Sequence, residues 1–405
     1  MARRMKDSGV AWIGQVPAGW SVERIASLYN VRNEKCSDKE YSALSVTMQG
    51  IVPQLEDVAK TDDGDNRKLV RIGDFVINSR SDRRGACGIS QYDGSVSLIN
   101  TVLRPFGDMN NGYYSWLFRS FAFADEFYAN GHGIVDDLWT TRWQDMKRIK
   151  VPFPPLAEQR KIAEFLDREC GKLDALVDKV KAQIAQLEAC KKSIITEAFS
   201  TGAKKIKLKY CAYLRARLGW KGLKAEEYVD EGYQFFSAHN IVNGELVFEP
   251  AVYIDKFRYD ESPEIKLKVG DSLLVKDGAG VGKTAMVRKL KVESAPNGSL
   301  AVITPSKRFD PLYFNYYFKS SFFANAIMPI LNGMGVPHLF QSDLRELSIP
   351  CPPLAEQRKI AEYLDEKCGK IDGLIKKSKE QLEKLAEYKK SLIYEYVTGK
   401  KEVAA

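Results

Sequence analysis

A glycine-rich segment in the second half of the chain comes closest to a catalytic motif. Residues 277–284 read DGAGVGKT and end in Lys283 and Thr284, the pair with which a phosphate-binding loop holds a nucleotide and its magnesium ion. That loop needs glycine six residues before the lysine, because the backbone there folds around the phosphates, but this chain has Asp277, whose carboxylate would repel them. The residues after the motif also alternate like a strand, where a nucleotide site needs a helix. We therefore predict a turn that carries Lys276, Lys283 and Thr284 to a surface.

Residues for other kinds of catalysis are scarce. Only three histidines are present, no G-x-S-x-G or H-E-x-x-H run occurs, and the seven cysteines contain no C-x-x-C pair. Glu264-Ile265-Lys266 resembles the end of a nuclease motif, but no suitable Pro-Asp lies upstream, so we interpret the triplet as a solvated strand face. Cys170 and Cys368 fit small buried residues better than reactive thiols. The pattern is typical of a binding protein without catalytic, cofactor-binding or metal-binding residues.

The composition is that of a globular protein large enough for several domains. The chain has 405 residues, of which 44% are hydrophobic and 28% charged, and its net charge of +8 is spread along its length. No apolar run is long enough to cross a membrane, and the basic N-terminus lacks the apolar stretch of a signal peptide. Together with the separated cysteines, these features predict a location in a reducing cytoplasm. A mildly positive charge in every segment allows a long anionic partner but does not require one.

An internal repeat determines how these residues are positioned. Residues 152–197 match residues 350–395 at 28 of 46 positions with a constant offset of 198, and residues 154–164 are identical to residues 352–362. Chance does not produce such a match, so the chain contains a duplication.

Both copies of the repeat have the pattern of a long helix. Each begins with two prolines, which stop the preceding element, followed by good helix formers. Apolar residues then recur at heptad spacing, at Leu173, Val180, Leu187 and Ile194 beside Leu176, Val177, Ile184 and Ala198, and in the second copy at Ile371, Leu385 and Leu392 beside Leu374, Ile375, Leu382 and Tyr396. This seam predicts that the helices pack on each other as an antiparallel coiled coil. We expect Gly171 and Gly369 to kink or interrupt the helices, and Thr201-Gly202 and Thr398-Gly399 to end them.

The duplication extends weakly into the segments before each helix. Short β-rich runs separated by Gly, Asn and Asp turns are followed by an aromatic helix in the same order in both halves, and Gly131-His132-Gly133 aligns with Gly333-Met334-Gly335. The predicted fold class is α+β, with two similar globules separated by the two long helices. The predicted domains are a first globule (1–150), a first helical region (151–205), a second globule (206–348) and a second helical region (349–405).

The two copies of PPLAEQRKIAE resemble the helical regions of the specificity subunit of type I restriction–modification systems. Residues 6–20, which read KDSGVAWIGQVPAGW, are similar to the opening of many such subunits. The likeness covers the organisation of the whole chain, but it is weak inside the globules, and the second globule lacks the Trp-Ile-Gly opening of the first. Leu218-Gly219-Trp220 is the nearest remnant of that opening.

The resemblance implies a role in sequence-specific DNA binding and phage defence in a prokaryotic cytoplasm. Each globule would be a target-recognition domain that reads one half of a split double-stranded DNA site from the major groove. The helices would hold the two domains apart and dock two methyltransferase subunits, through which restriction subunits join. The sites for S-adenosylmethionine and ATP would belong to those partners, so no cofactor is expected here and the chain itself would not be an enzyme.

Candidate contact residues follow from the resemblance and from the matching turns of the two globules. The DNA-binding candidates are Arg80, Arg83, Arg84, Thr140, Arg142, Gln144, Lys276, Lys283, Thr284, His338 and Gln341. The partner-docking candidates are Glu158, Gln159, Arg160, Glu356, Gln357 and Arg358.

The length of the helices offers a test of this interpretation. Residues 172–199 form a helix of about 42 Å, a little longer than one DNA turn of about 34–36 Å. A heptad-compatible insertion after Glu188 is therefore predicted to change the unread gap and leave both half-sites unchanged. Two other readings stay open, which are a coiled-coil adaptor that does not contact DNA and a nuclease or NTPase that uses residues 277–284.

Overall fold

The computed structural model describes residues 3–54, 64–80, 84–133, 139–217, 223–333 and 335–403. It contains two compact units. Unit 1 comprises residues 1–180 and 380–405, and unit 2 comprises residues 181–379. Each unit therefore combines one globule with part of each long helix. Among the described residues, no helix has both the length and the apolar character needed to cross a membrane.

Unit 1 is built from short strands, two aromatic helices and the long helix α4, which continues into unit 2. Its elements are β1 (Met5–Asp7), β2 (Gln15–Pro17), β3 (Ser21–Arg24), β4 (Tyr29–Val31), β5 (Lys35–Cys36), β6 (Leu44–Thr47), β7 (Gly50–Pro53), β8 (Arg67–Val70), β9 (Phe75–Asn78), β10 (Cys87–Ile89), β11 (Gly94–Val96), β12 (Asn100–Pro105), α1 (Asn111–Arg119), α2 (Phe121–Ala129), α3 (Trp143–Met146), β13 (Lys150–Phe153) and α4 (Leu156–Ala198). The main sheet has the strand order β10-β9-β12-β4, and a second sheet has the order β11-β8-β5. All strands of both sheets pair antiparallel with their neighbours.

Unit 2 has a larger sheet and ends in the second long helix, α10, which continues into unit 1. Its elements are β14 (Lys205–Lys207), α5 (Leu208–Cys211), β15 (Ala212–Arg215), β16 (Tyr233–Phe236), β17 (Ile241–Val242), β18 (Glu245–Leu246), β19 (Tyr253–Ile254), α6 (Lys256–Asp260), β20 (Ser272–Val275), β21 (Thr284–Met286), β22 (Ser294–Pro296), β23 (Leu300–Pro305), α7 (Pro311–Phe318), α8 (Ser321–Ile327), α9 (Gln341–Glu346), β24 (Ser348–Pro350) and α10 (Leu354–Val397). The main sheet has the order β15-β23-β20-β21-β18-β17, and a smaller one has the order β19-β16-β22. The Glu264 triplet is not a strand, because residues 263–265 form a 3₁₀ turn with Ile265 buried.

The same packing recurs in both units where the aromatic helices meet the main sheet. Ser120 caps the N-terminus of α2 and accepts a hydrogen bond from the Phe123 amide, which satisfies an otherwise unpaired helical N–H. Ser320 does the same for the Phe323 amide at the start of α8. The Phe123 ring lies 4.6 Å from that of Phe118, and the Phe323 ring lies 4.8 Å from that of Phe318. The duplication therefore includes the globules and not only the helices.

The long helices are continuous, antiparallel and paired by charge as well as by apolar contacts. In unit 1, Lys389 Nζ lies 2.6 Å from a carboxylate oxygen of Asp174, and in unit 2, Lys191 Nζ lies 2.6 Å from one of Asp372. These contacts lie 17 residues apart in opposite directions along the two helices, which defines an antiparallel register. The seam positions are at least partly buried, including Val180.

Three details of the helices differ from the sequence-based expectation. Gly171 and Gly369 lie inside unbroken helices, so they do not interrupt them, because the surrounding helix formers and the seam outweigh the cost of one glycine. Leu176 and Leu374 are 39% and 48% exposed and lie outside the seam. Gly399 ends α10 in a left-handed conformation as expected, whereas Gly202 has no positive φ.

Replacing Gly399 with alanine is expected to lower the free energy of unfolding by about 2–4 kcal/mol. Its φ is +72°, and an added Cβ would lie 2.5 Å from Pro17 Cδ and 2.8 Å from a ring carbon of Trp20. Gly202→Ala is the matched control, since no atom lies within 4 Å of its added Cβ. Urea unfolding of both variants measures the difference. Equal losses of stability would show that the close approach at Gly399 is not important.

Candidate nucleic-acid interface

Three segments meet beside the end of β9 in unit 1, and together they bring several predicted DNA-binding residues into one surface. Arg80 and His132 both pair with Thr140 through isolated antiparallel bridges. His132 and Thr140 exchange two backbone hydrogen bonds of 3.0 Å, and the Thr141 amide donates to the Ser79 carbonyl at 2.9 Å. We call residues 79–80, 131–133 and 139–142 platform 1.

Unit 2 has an equivalent surface beside the end of β20. Asp277 and Asn332 both pair with His338 through isolated antiparallel bridges. Asn332 and His338 exchange backbone hydrogen bonds of 3.0 and 2.8 Å, and the Leu339 amide donates to the Lys276 carbonyl at 2.8 Å. We call residues 276–278, 331–333 and 337–340 platform 2.

This pairing corrects the alignment of the two turns. By position in the bridges, the counterpart of His132 is Asn332 and not Met334, so the sequence match of the two Gly-x-Gly turns is displaced by two residues. Gly333 has a φ of +106°, and an added Cβ would lie 2.1 Å from the Val336 carbonyl oxygen. Glycine is required there because the backbone of the returning segment passes so close.

Platform 1 presents mainly cationic side chains. Arg80 and Arg142 are exposed, and Gln144 is exposed on α3 next to them in sequence. Arg84 is also exposed, and its guanidinium carbon lies 3.6 Å from the ring centroid of Tyr128, a cation–π contact that holds the side chain in place. Arg83 lies outside the described residues.

Platform 2 presents a mixed group of charges. Lys276 Nζ lies 2.5 Å from one carboxylate oxygen of Asp277, and His338 Nδ1 contacts the other. The side chains of Asp277 and His338 are each about one-third exposed. Gln341, the first residue of α9, is half-buried next to this group in sequence. The platform therefore exposes a carboxylate between two nitrogen groups.

The glycine-rich segment is a hairpin between β20 and β21. Thr284 pairs with Leu274 as the first residue of a strand, and the Val275 amide donates to the Lys283 carbonyl at 2.9 Å. Lys283 is exposed, as predicted for this turn, but Thr284 is only 5% exposed and does not reach the surface. A phosphate-binding loop leads into a helix, so this geometry does not fit one.

Phe340 belongs to platform 2, although the sequence did not single it out. Its side chain is 50% exposed, and its ring packs edge-on against His338 with the centroids 4.5 Å apart. Phe340 precedes the short helix α9 as Arg142 precedes α3. The repeat offset of 198 gives these two residues matching positions in the two halves of the chain. This match was the sequence signal that could have identified Phe340 as a candidate.

Two of the predicted docking residues have an internal role. Gln159 and Gln357 are fully buried. Gln159 accepts a hydrogen bond from the Asn110 amide at 2.8 Å and donates to the Pro154 carbonyl at 2.8 Å. Gln357 accepts from the Asp310 amide at 3.0 Å and donates to the Pro352 carbonyl at 2.9 Å. Each glutamine thus joins the start of a long helix to the loop before an aromatic helix, and neither is available to a partner.

The other docking candidates are more accessible. Arg160, Glu356 and Arg358 are exposed. Glu158 is half-buried, because it contacts Arg3 at 2.5 Å and accepts a hydrogen bond from Trp20 Nε1 at 2.7 Å. Arg160 and Arg358 therefore form a matched exposed pair, one in each unit.

The matched cysteines are unreactive packing residues. Cys170 and Cys368 are 1% and 2% exposed. Burial raises the pKa of the Cys170 thiol to about 11 and also raises the pKa of Cys368, so both remain protonated at neutral pH. In the part of the chain that the structure describes, no group of three or more His, Cys, Asp and Glu side chains could hold a metal ion.

These features define a duplicated protein in which two α+β globules, each with an exposed polar platform, are joined by an antiparallel pair of long helices. The chain belongs to the family of type I restriction–modification specificity subunits, since the family model for the type I restriction modification DNA specificity domain matches residues 138–189 and 219–384. It is 25% identical over 422 residues to the type I restriction enzyme MjaVIII specificity subunit of Methanocaldococcus jannaschii, with 95% of this chain and 94% of that one covered.

Solved structures show the same fold. A chain from structural work on complex assembly and conformational transition of the type I R-M system matches with a TM-score of 0.73 and 17% identity, covering 94% of this chain and 98% of that one. The HsdS subunit from Thermoanaerobacter tengcongensis matches with a TM-score of 0.51 and 18% identity, covering 95% and 98%. The predicted α+β fold with two globules and paired helices is confirmed.

Proposed function

We propose that this chain reads a bipartite double-stranded DNA target, with platform 1 at one half-site and platform 2 at the other. The observation that carries this proposal is a contrast between the two kinds of duplicated surface. Matching exposed positions of the helices keep the same residue, as at Arg160 and Arg358, whereas matching positions of the platforms differ in charge, as at Arg80 and Asp277. Two different half-sites and two identical partners require this combination.

The identical partners are two methyltransferase subunits that dock on the helices. Arg160, Glu356 and Arg358 offer them exposed charged contacts near the start of each long helix. Restriction subunits join through the methyltransferases, so methylation and ATP-dependent cleavage reside in the partners and this chain supplies no catalytic group. The complex acts in the prokaryotic cytoplasm, where foreign DNA enters.

The decisive experiment is co-expression with the methyltransferase subunits, followed by co-purification and mapping of methylated bases in the host DNA. A stable complex and a split methylated motif with a fixed unread gap are expected. A stable complex that methylates no motif would support docking of the methyltransferase subunits but contradict recognition of a DNA target by this chain. No complex, together with DNA binding that depends little on salt, would favour a coiled-coil adaptor.

Lys283→Ala is expected to weaken DNA binding and to make its salt dependence less steep. A lysine that contacts a phosphate releases about one counterion, so the slope of log affinity against log salt should fall by about 1. Filter binding of the assembled complex at several salt concentrations measures this slope. Lys256→Ala removes an exposed lysine of α6, outside platform 2, and serves as the control. Unchanged DNA binding with loss of ATP hydrolysis by the purified chain would instead favour the nucleotide-site reading of residues 277–284.

A further inference from the structure

The two platforms share one backbone arrangement but carry side chains of different charge and polarity at matching positions. Arg80 in unit 1 and Asp277 in unit 2 occupy the same place in the bridges. Arg80 pairs with Thr140, which also pairs with His132, and Asp277 pairs with His338, which also pairs with Asn332. Arg142 and Phe340 occupy a second common place, immediately before α3 and α9. Two arginines in platform 1 therefore correspond to a carboxylate and a phenyl ring in platform 2.

We propose that the platforms read different base edges, the acceptor edge of guanine through the arginines of platform 1, and an exocyclic amino group and a thymine methyl group through Asp277 and Phe340 of platform 2. This inference rests on the proposed function, since it names the bases that the two surfaces select. It assigns Arg80, Arg142, Asp277 and Phe340 as specificity-determining residues.

Platform 1 has the donors that guanine requires. The major-groove edge of guanine presents only acceptors, O6 and N7, and an arginine guanidinium meets both at once with two parallel N–H groups. Arg80 and Arg142 are exposed on neighbouring segments that Thr140 and Thr141 tie to β9. The backbone hydrogen bonds of the platform fix the backbone positions from which these two side chains extend.

Asp277 of platform 2 cannot read guanine in this way, because a carboxylate is only an acceptor. A carboxylate pairs with an amino donor such as cytosine N4, and a phenyl ring contacts the methyl group of thymine. Lys276 and His338 each contact a different oxygen of Asp277, which leaves further lone pairs for a base. Their nitrogen groups also orient the carboxylate, and the lysine charge offsets its repulsion from DNA phosphates.

The phenyl ring of Phe340 in platform 2 is held in a defined position by a neighbouring side chain. Phe340 is half exposed, and its edge-on contact with His338 restricts the ring. A half-exposed phenyl group that packs on His338 is costly to leave in water, and it matches a base pair that offers a methyl group.

The test is methylation of a randomised duplex library by the assembled complex that contains Arg80→Lys, Asp277→Asn or Phe340→Leu. Arg80→Lys keeps the charge but loses the planar fork, so the guanine preference in one half-site should fall at least about fivefold while the other half-site is unchanged. Asp277→Asn should relax the preference for an amino-bearing base in the other half-site. Phe340→Leu should reduce a thymine preference in that same half-site. If the Asp277 variant is inactive, the Phe340 variant alone tests the base assignment of platform 2.

The unaltered half-site is the internal control in each variant. A variant that only destabilises the chain lowers methylation at every sequence and changes no base preference. A split wild-type motif without guanine in the half-site that responds to Arg80→Lys, or a motif that the platform 1 and platform 2 variants leave unchanged, would overturn the inference alone. The absence of any split motif would overturn the proposed function itself.

Discussion

Inserting seven residues into both long helices is expected to lengthen the unread gap of the DNA target by up to about three base pairs, because seven residues add about 10.5 Å of helix and a base pair rises about 3.4 Å. A heptad keeps the apolar seam in phase. The insertion in α4 follows Glu188, and the contact between Lys191 and Asp372 places the matching insertion in α10 after Leu374. Methylated-base mapping of the altered complex would measure the new gap.

The control for this experiment is the insertion after Glu188 alone. The sequence predicted that this insertion would change the gap, but α4 is paired with α10 at Lys191 and Asp372, so the insertion leaves seven residues of α4 unpaired and should abolish methylation. An active double-insertion complex whose gap is unchanged would show that the helices do not set the spacing. A changed half-site would show that the helices influence base reading.

The second large effect is expected from removal of a buried carboxylate in the sheet of unit 2. Asp271 is fully buried and lies 3.0 Å from the Arg215 guanidinium, which is itself only 8% exposed. The carboxylate also accepts hydrogen bonds from the Lys268 amide and the Thr304 hydroxyl. Asp271→Ala leaves the arginine buried without its partner, so the free energy of unfolding should fall by about 3–5 kcal/mol.

Urea unfolding of the full chain would measure this loss. Glu366→Ala is the control, since its contact with Lys370 is exposed on both sides and its removal should leave the unfolding midpoint unchanged. Unit 1 contains a counterpart of the buried pair, in which Arg32 contacts Asp74 at 2.7 Å, so Asp74→Ala should resemble Asp271→Ala. If the two buried-site variants unfold like the wild type, the ion pairs do not stabilise the sheets.

The helices and the duplicated order of elements were predictable, because identical residues at a constant offset must form the same local structure. Sequence reasoning was less successful where the environment of a residue depends on a distant segment. Gln159 resembles a surface residue of an amphipathic helix, but its hydrogen bonds to the Asn110 amide, 49 positions away, and to the Pro154 carbonyl satisfy it in the interior. The unbroken course of α4 through Gly171 likewise depends on packing along the seam.

The platforms also depend on contacts between distant segments, which the sequence alone does not reveal. The turns that hold Arg80 and Thr140 were both proposed from the sequence, but their pairing depends on backbone hydrogen bonds between segments some 60 residues apart. Phe340 was overlooked because an exposed aromatic residue has no local signature. The repeat offset of 198 relates Phe340 to Arg142, but only the structure shows that both precede a short helix in the same arrangement.

The division of the chain into units also has a consequence for its synthesis. Unit 2 is one uninterrupted stretch, whereas unit 1 needs both the first 180 residues and the last 26. Tyr113 donates a hydrogen bond to the Val397 carbonyl, and the Tyr394 hydroxyl donates to the Trp12 carbonyl. On the ribosome, part of the core of the first globule therefore stays uncovered until α10 emerges, although the residues of the globule are made first. A chain that stops before α10 would expose that core, so unit 1 can close only after α10 has been made.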